Sequence, residues 1–256
     1  MNSKKSDIHA LWDELAELGS AARVEAGLTG ILTRICSLIN AQQAYWLGSV
    51  RMCRGRDPLH GWRPAAIRYL YPRPALDVNY EAHRRLIEAG VVDPSIVANV
   101  RGAGNYRINI HHELVPPEWF ESAFYHLHFE PLEIRDAICL VTPLGEDIES
   151  WLGFERIGQH RQLFGQAERD LLDEAARPLK WFHRQIALHH GILLAEKPLT
   201  AAERRILNAL LGSEAEKGIA DNLGLTVSSV HTYATRIYRK FNVKGRTGLM
   251  ALWLQH

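Results

Sequence analysis

Apolar residues recur at intervals of three and four from the start of the chain. Residues 8–18, IHALWDELAEL, place Ile8, Leu11, Trp12, Leu15 and Leu18 on one side of an amphipathic helix. LTGILTRICSLINA (28–41) repeats the pattern as a second helix. The period then changes. QAYWLGSVRMC (43–53) is apolar and aromatic and predicts a strand. GWRPAAIRYLYP (61–72) predicts its antiparallel neighbour, closed by Pro72 and Pro74. Helical spacing returns around 78–89 and 94–100. NYRINI (105–110) alternates as a short strand, and PPEWFESAFYHLHF (116–129) predicts a helix entered through proline. DAICLVTPL and ESWLGFERIG predict two further strands around the turn GED, and residues 164–190 a long helix kinked at Pro178.

The last quarter of the chain is helical throughout. Thr200 and Glu203 have the spacing of a capping box, followed by Ile206, Leu207, Leu210 and Leu211 and a stop at Gly212. A short helix, EKGIADNL, leads through the tight turn GLT to VSSVHTYATRIYRKF, with Thr226 as its N-cap. Two helices joined by a brief glycine-containing turn form a helix-turn-helix, whose second helix enters the DNA major groove. At 100° per residue, Val227, Val230, Tyr233, Ala234, Ile237, Tyr238 and Phe241 share one apolar side of that helix. Ser228, His231, Thr232, Thr235 and Arg239 face the other way, with Ser229, Arg236 and Lys240 along one margin. The element order predicts an α+β N-terminal domain, an antiparallel sheet flanked by helices, over 1–190. A linker over 191–198 and an all-α four-helix domain over 199–256 follow.

Charge sharpens this picture. The formal net charge is only +1, but residues 197–256 carry nine Lys and Arg against four acids, and 222–256 contain no Asp or Glu. A mildly acidic body with a basic end is the asymmetry of a nucleic-acid-binding appendage. Small polar residues at the start of the second helix allow close approach to base edges, while Arg236, Arg239, Lys240 and Lys244 suit phosphates. Three widely spaced cysteines, Cys36, Cys53 and Cys139, make no disulfide framework. The opening MNSKKSDIHALWDEL is too polar for a secretory signal, and no apolar run is long enough to span a bilayer. A soluble cytoplasmic protein without membrane partners is expected.

The stretch from LTAAERRILNALLGS through KGIADNLGLTVSSVHTYATRIYRKFNVKGRTGLMAL resembles the LuxR-type (GerE-type) helix-turn-helix domain. The matching positions are Leu199-Thr200, Glu203-Arg204, Ile219-Ala220, Leu223, Thr226, Ser229-Val230, Ile237 to Lys240, Val243 and Arg246-Thr247. The resemblance implies a transcription regulator that binds a double-stranded operator as a homodimer, its fourth helix (about 246–254) helping to pair two domains. It places His231, Thr232 and Thr235 at bases, while Thr226, Ser228 and Ser229, at the capped start of the helix, are expected DNA contacts from the pattern itself. RNA polymerase becomes a partner if the protein activates. The chain departs from the family at Gly218 and Gly248, where Glu is frequent, and at His231, where Lys is frequent. A sigma-factor DNA-reading domain shares the capped first helix, but the extra helix NVKGRTGLMALWL favours the LuxR type.

Residues 1–190 resemble GAF-like or PAS-like sensor domains in element order, in FESAFYHLHFEPLEIRDAICLV and in FGQAERDLLDEAARPL. Such domains cup small molecules against one sheet face. Trp46, Tyr69, Tyr71, Asp93 and Tyr125 are the candidate ligand contacts, although strand aromatics usually pack in cores and an Asp before Pro usually caps. Val92-Asp93-Pro94 resembles the Asp-Pro of acyl-homoserine-lactone receptors, an alternative reading. Their preceding Trp and Tyr positions are Tyr80 and Arg84 here. A phosphorylation receiver is excluded by the helical opening. His111-His112 and His126-x-His128 lack metal-ligand spacing. No GxSxG, P-loop, HExxH or GxGxxG pattern occurs, so neither catalysis nor a cofactor is expected, an enzymatic or metal-binding N-terminal domain being the remaining alternative.

Overall fold

Proline chooses the edge of the sheet. The computed structural model describes residues 2–18, 23–52, 57–158, 160–193 and 199–254. Among them β1 (Gln43–Arg51), β2 (Trp62–Tyr69), β3 (Arg107–Ile110), β4 (Ile134–Pro143) and β5 (Ile148–Ile157) form one sheet in the order β2-β1-β5-β4-β3. Every neighbouring pair is antiparallel. Pro64 has no N–H to give a ladder, and it lies on the edge strand β2, beside a register shift opposite Gly48 and Ser49. The strands richest in alternating apolar residues, β4 and β5, lie inside.

That alternation gives the sheet two different faces. On one, Trp46, Ile138, Leu140, Leu152 and Phe154 are fully buried. On the same side Arg156 Nη2 donates to the Ile39 carbonyl at 2.9 Å and to Glu168 Oε1 at 2.9 Å. These bonds tie down the end of α2 (Val24–Ile39) and the start of α7 (Gln166–Ala176). Tyr45, Leu47, Cys139, Trp151 and Glu155 point to the other face. There α3 (Pro74–Glu88), α4 (Pro94–Val100) and α5 (His111–Leu114) line a cavity, and α6 (Ala123–His128) contributes no residue to it.

The segment 116–129 is not the single helix expected. A 3₁₀ turn, Pro117–Glu121, ends at Ser122, whose backbone is extended (φ −76°, ψ 150°) and whose Oγ accepts from Tyr125 N at 3.2 Å. Serine is a better cap than interior residue, and it starts a new helix. The predicted helix over 164–190 likewise divides at Arg177–Leu179 into α7 and α8 (Lys180–His189), where Pro178 cannot donate.

The chain forms two compact units. Unit 1 comprises Met1–Trp12 and Thr29–Pro178; unit 2 comprises Asp13–Leu28 and Leu179–His256. Unit 2 thus holds α8 together with α9 (Ala201–Leu211), α10 (Glu216–Leu223), α11 (Val227–Lys240) and α12 (Arg246–Leu254). Its core joins Leu188 of α8 to Leu199, Ile206, Leu207, Ile219, Val230, Ala234, Ile237 and Leu249. Of the expected linker 191–198, residues 194–198 lie outside the described residues, as does Cys53.

Candidate functional site

Unit 2 presents a helix-turn-helix whose termini are set by side chains. Glu203 N donates to Thr200 Oγ1 at 3.2 Å and Thr200 N to Glu203 Oε2 at 2.8 Å, a reciprocal capping box that starts α9. Gly224 ends α10 in the left-handed region (φ 65°), where glycine is unstrained. Thr226 Oγ1 then accepts from Ser229 N at 3.1 Å and starts α11. Val230, Ala234 and Ile237 are completely buried. Ser228, His231, Thr232, Thr235, Arg236 and Arg239 are exposed on the remaining surface, and Thr226 and Lys244 are exposed beyond its ends. Ser229 is half-buried, its hydroxyl 2.8 Å from that of Thr226.

Three assignments change. Val227, placed on the apolar side, is 47% exposed because α11 begins there and no turn precedes it to cover the side chain. Lys240 is not a free phosphate contact: its Nζ lies 2.8 Å from Glu203 Oε2. Burial pushes the Glu203 carboxyl up, but Lys240 and Thr200 outweigh it and hold the group below the usual carboxylate range. Lys240 therefore fastens α11 to the cap of α9. Arg246, counted in the basic tail, gives its guanidinium to the carbonyls of Leu210, Gly212 and Glu214, closing the end of α9. Spacing alone could not reveal a cap supplied from so far along the chain. Arg236, Arg239 and Lys244 remain exposed without an ion-pair partner among the described residues, and the face carries no acid of its own. Glu216, from α10, brings its Oε2 to 3.3 Å from His231 Nδ1.

In unit 1, a cavity of about 240 Å³ opens over the sheet face that carries Tyr45, Cys139, Trp151 and Glu155. Gly153 shapes its floor. It lies opposite Tyr45, and a Cβ there would come within 2.2 Å of the Tyr45 ring. Tyr45 therefore lies flat across β5, its hydroxyl 3.4 Å from Cys139 Sγ. Outside the lining, Arg107 forms two hydrogen bonds, 2.8 and 2.9 Å, to Glu149, which is 1% exposed. This pair pins β3 to β5. Burial raises the Glu155 carboxyl to about 7, against which the charge of Arg73 acts only weakly.

Of the candidate ligand contacts, only Tyr69 lines this cavity. Trp46 belongs to the opposite sheet face, where its Nε1 donates to Ser150 Oγ at 2.8 Å, so it is a core residue. Tyr71 lies past the end of β2 and is 53% exposed. Asp93 caps α4, accepting from Ser95 N at 2.8 Å and from Trp119 Nε1 at 2.7 Å, and is 3% exposed. Tyr125 packs against Trp119, Phe120 and Phe129. Tyr80 and Arg84 do line the cavity, as do His111, weighed above only as a metal ligand, and His83, Trp62 and Glu155, which sequence patterns did not single out. The histidine pairs find protein partners: His112 with Asp136, His126 with Glu130 and His128 with Asn79, while His111 stacks on Phe129. Among the described residues no group of three or more His, Cys, Asp or Glu could hold a metal ion, and no helix is long and apolar enough to cross a membrane.

No curated protein matches the sequence. The fold is similar to SdiA in complex with octanoyl-rac-glycerol (TM-score 0.48, 13% identity, 95% of this chain and 92% of that chain). It is also similar to Escherichia coli SdiA (0.46, 14%, 96% and 94%) and to the LBD domain of VqsR from Pseudomonas aeruginosa (0.49, 12%, 69% and 94%). Residues 197–253 match the family model of bacterial regulatory proteins, luxR family (GerE). The exposed acid-free face of α11 and this match agree: the chain is a DNA-binding regulator with a LuxR-family helix-turn-helix domain at residues 197–253.

Proposed function

We infer that the protein is a cytoplasmic transcription regulator, not an enzyme, that binds a two-fold operator as a homodimer and answers to a small molecule held in the cavity of unit 1. The observation that carries the DNA half is the α11 surface, with Val230, Ala234 and Ile237 buried and Ser228, His231, Thr232, Thr235, Arg236 and Arg239 exposed. Ser228, His231, Thr232 and Thr235 read bases, and Arg236, Arg239 and Lys244 hold phosphates. Thr226 and Ser229 fix the entry of the helix. The GAF/PAS-like reading of unit 1 is supported by its antiparallel sheet with a cavity on one face. An acyl-homoserine lactone is less well supported, because both Asp93 oxygens are already engaged and the residue stands outside the cavity lining.

Selection from random duplex DNA across a salt series, with sequencing of the bound pool, tests the proposal. A steep fall in affinity with salt and an enriched two-fold motif with half-sites about one helical turn apart are expected. A shallow salt slope with no enriched motif would overturn it.

A further inference from the structure

The cavity of unit 1 gathers five buried polar atoms that have no hydrogen-bond partner among the described residues. They are Glu155 Oε2, Trp62 Nε1, Trp151 Nε1, His83 Nε2 and His111 Nε2. Buried polar groups in folded proteins are nearly always paired, so a concentration of orphans on one cavity points to a molecule that completes them. Their chemistry says which kind. Glu155 is 8% exposed, and the carboxylate lies near Tyr45, Tyr69 and Cys139, whose ionisation it opposes. None of these carries a positive charge, and burial raises the carboxyl itself to about 7, so it is part ionised near neutral pH.

The cations at the lining are already engaged. Arg63 Nη1 lies 3.3 Å from Asp57 Oδ1, and Arg84 pairs with Glu81 at 2.9 Å. Burial and neighbouring His128 push the His83 ring down to about 4, and burial also lowers His111, so both rings are neutral near pH 7. An anionic ligand would therefore meet an acid and, among the described lining residues, no uncommitted cation; Arg73, whose charge reaches Glu155, lies outside that lining. Trp62, Trp151, Tyr45, Tyr69 and Tyr80 all line the space, and aromatic rings attract cations; Arg51 and Arg107 already lie 4.8 and 5.5 Å over Trp62 and Trp151, which leaves the tyrosines.

We propose that the cavity binds a compact organic ammonium whose charged nitrogen is held by Glu155 among these rings, with ligand oxygens accepting from Trp62 and Trp151 Nε1. The inference rests on the small-molecule reading of unit 1 and names the ligand's chemical class. No covalent step is involved.

Hexylamine and phenethylamine, each matched with hexanol and phenethyl alcohol, test it by calorimetry on the full chain near neutral pH. N-hexanoyl homoserine lactone serves as a neutral control. Each amine is expected to bind at least tenfold tighter than its alcohol, and Glu155→Gln to abolish that preference while leaving operator binding intact. If the variant does not fold, the Glu155 carboxyl ¹³C resonance of the unaltered protein gives the same answer: it should shift with amine and not with alcohol. Alcohols or the lactone binding as tightly as the amines would overturn the ammonium and leave the effector reading standing. Sequence-specific DNA binding with no response to any of the five compounds would overturn both the ammonium and the small-molecule reading, but not the DNA reader.

Discussion

Two buried carboxylates in unit 1 differ only in what stands next to them. Glu149 receives both arms of Arg107 and the amide of Gly104, whereas Glu155 Oε2 receives nothing among the described residues. Arg107→Met should cost about 3–5 kcal/mol in urea unfolding, because it strands the Glu149 charge. An unchanged midpoint would show that β3 is not pinned by this pair. Glu155 works the other way. Its folded pKa, about 7, lies above the ordinary 4.5. Between those values the folded chain keeps a proton that the unfolded chain has lost, so this group makes stability fall as pH rises. The buried rings of His83, His183 and His190, each near 4, have the opposite effect below pH 6.5. The comparison therefore needs the variant: Glu155→Gln should lose the decline between pH 4.5 and 7 relative to the unaltered protein. Parallel pH profiles for the two would refute it.

At the scale of elements, α11 separates charges that read DNA from charges that hold the fold. Arg239→Ala should weaken binding to specific and random duplexes alike and reduce the salt slope by about one. Lys240→Ala should instead lower the unfolding midpoint of unit 2, since it removes the partner of the buried Glu203 carboxylate. Equal salt-slope losses for both would return Lys240 to the phosphate contacts. Gly218 lies in α10, and a Cβ there would meet only Glu214, at 3.8 Å. Gly218→Ala should therefore stabilise by about 0.5–1 kcal/mol, measured by urea unfolding. These elements were legible because their signals are local. The capping box, Gly224 and the Thr226 cap fix α9 to α11 within a few residues of sequence. Lys240 was misread because its partner lies 37 positions away. A cavity against one sheet face was expected, but of its five candidate contacts only Tyr69 lines it. Its lining comes from β1, β2, α3, α4, β3, α5, β4 and β5, and which strand residues face it depends on a register that sequence alone does not fix.

At the scale of the molecule, the DNA reader is larger than its family segment. Leu188, before the matched residues 197–253, is completely buried in the same core as Leu199, Ile206 and Leu207. Leu193 packs against that core as well. Glu25 Oε1, also in unit 2, lies 3.0 Å from His190 Nε2 and 3.8 Å from Arg204 Nε. Burying a leucine side chain is worth about 1.5–3 kcal/mol, a large part of the stability available to so small a helical domain. A fragment of residues 179–256 should thus unfold at clearly higher urea than one of residues 199–256, by about 2 kcal/mol. Both should retain α11, and hence DNA binding wherever they are folded. Leu188→Ala in the longer fragment should recover most of the difference, because it removes the same contact without shortening the chain. Identical midpoints for the two fragments would mean that α8 merely adjoins the reader. A difference that survives Leu188→Ala would place the stabilisation in Leu193 and its neighbours instead.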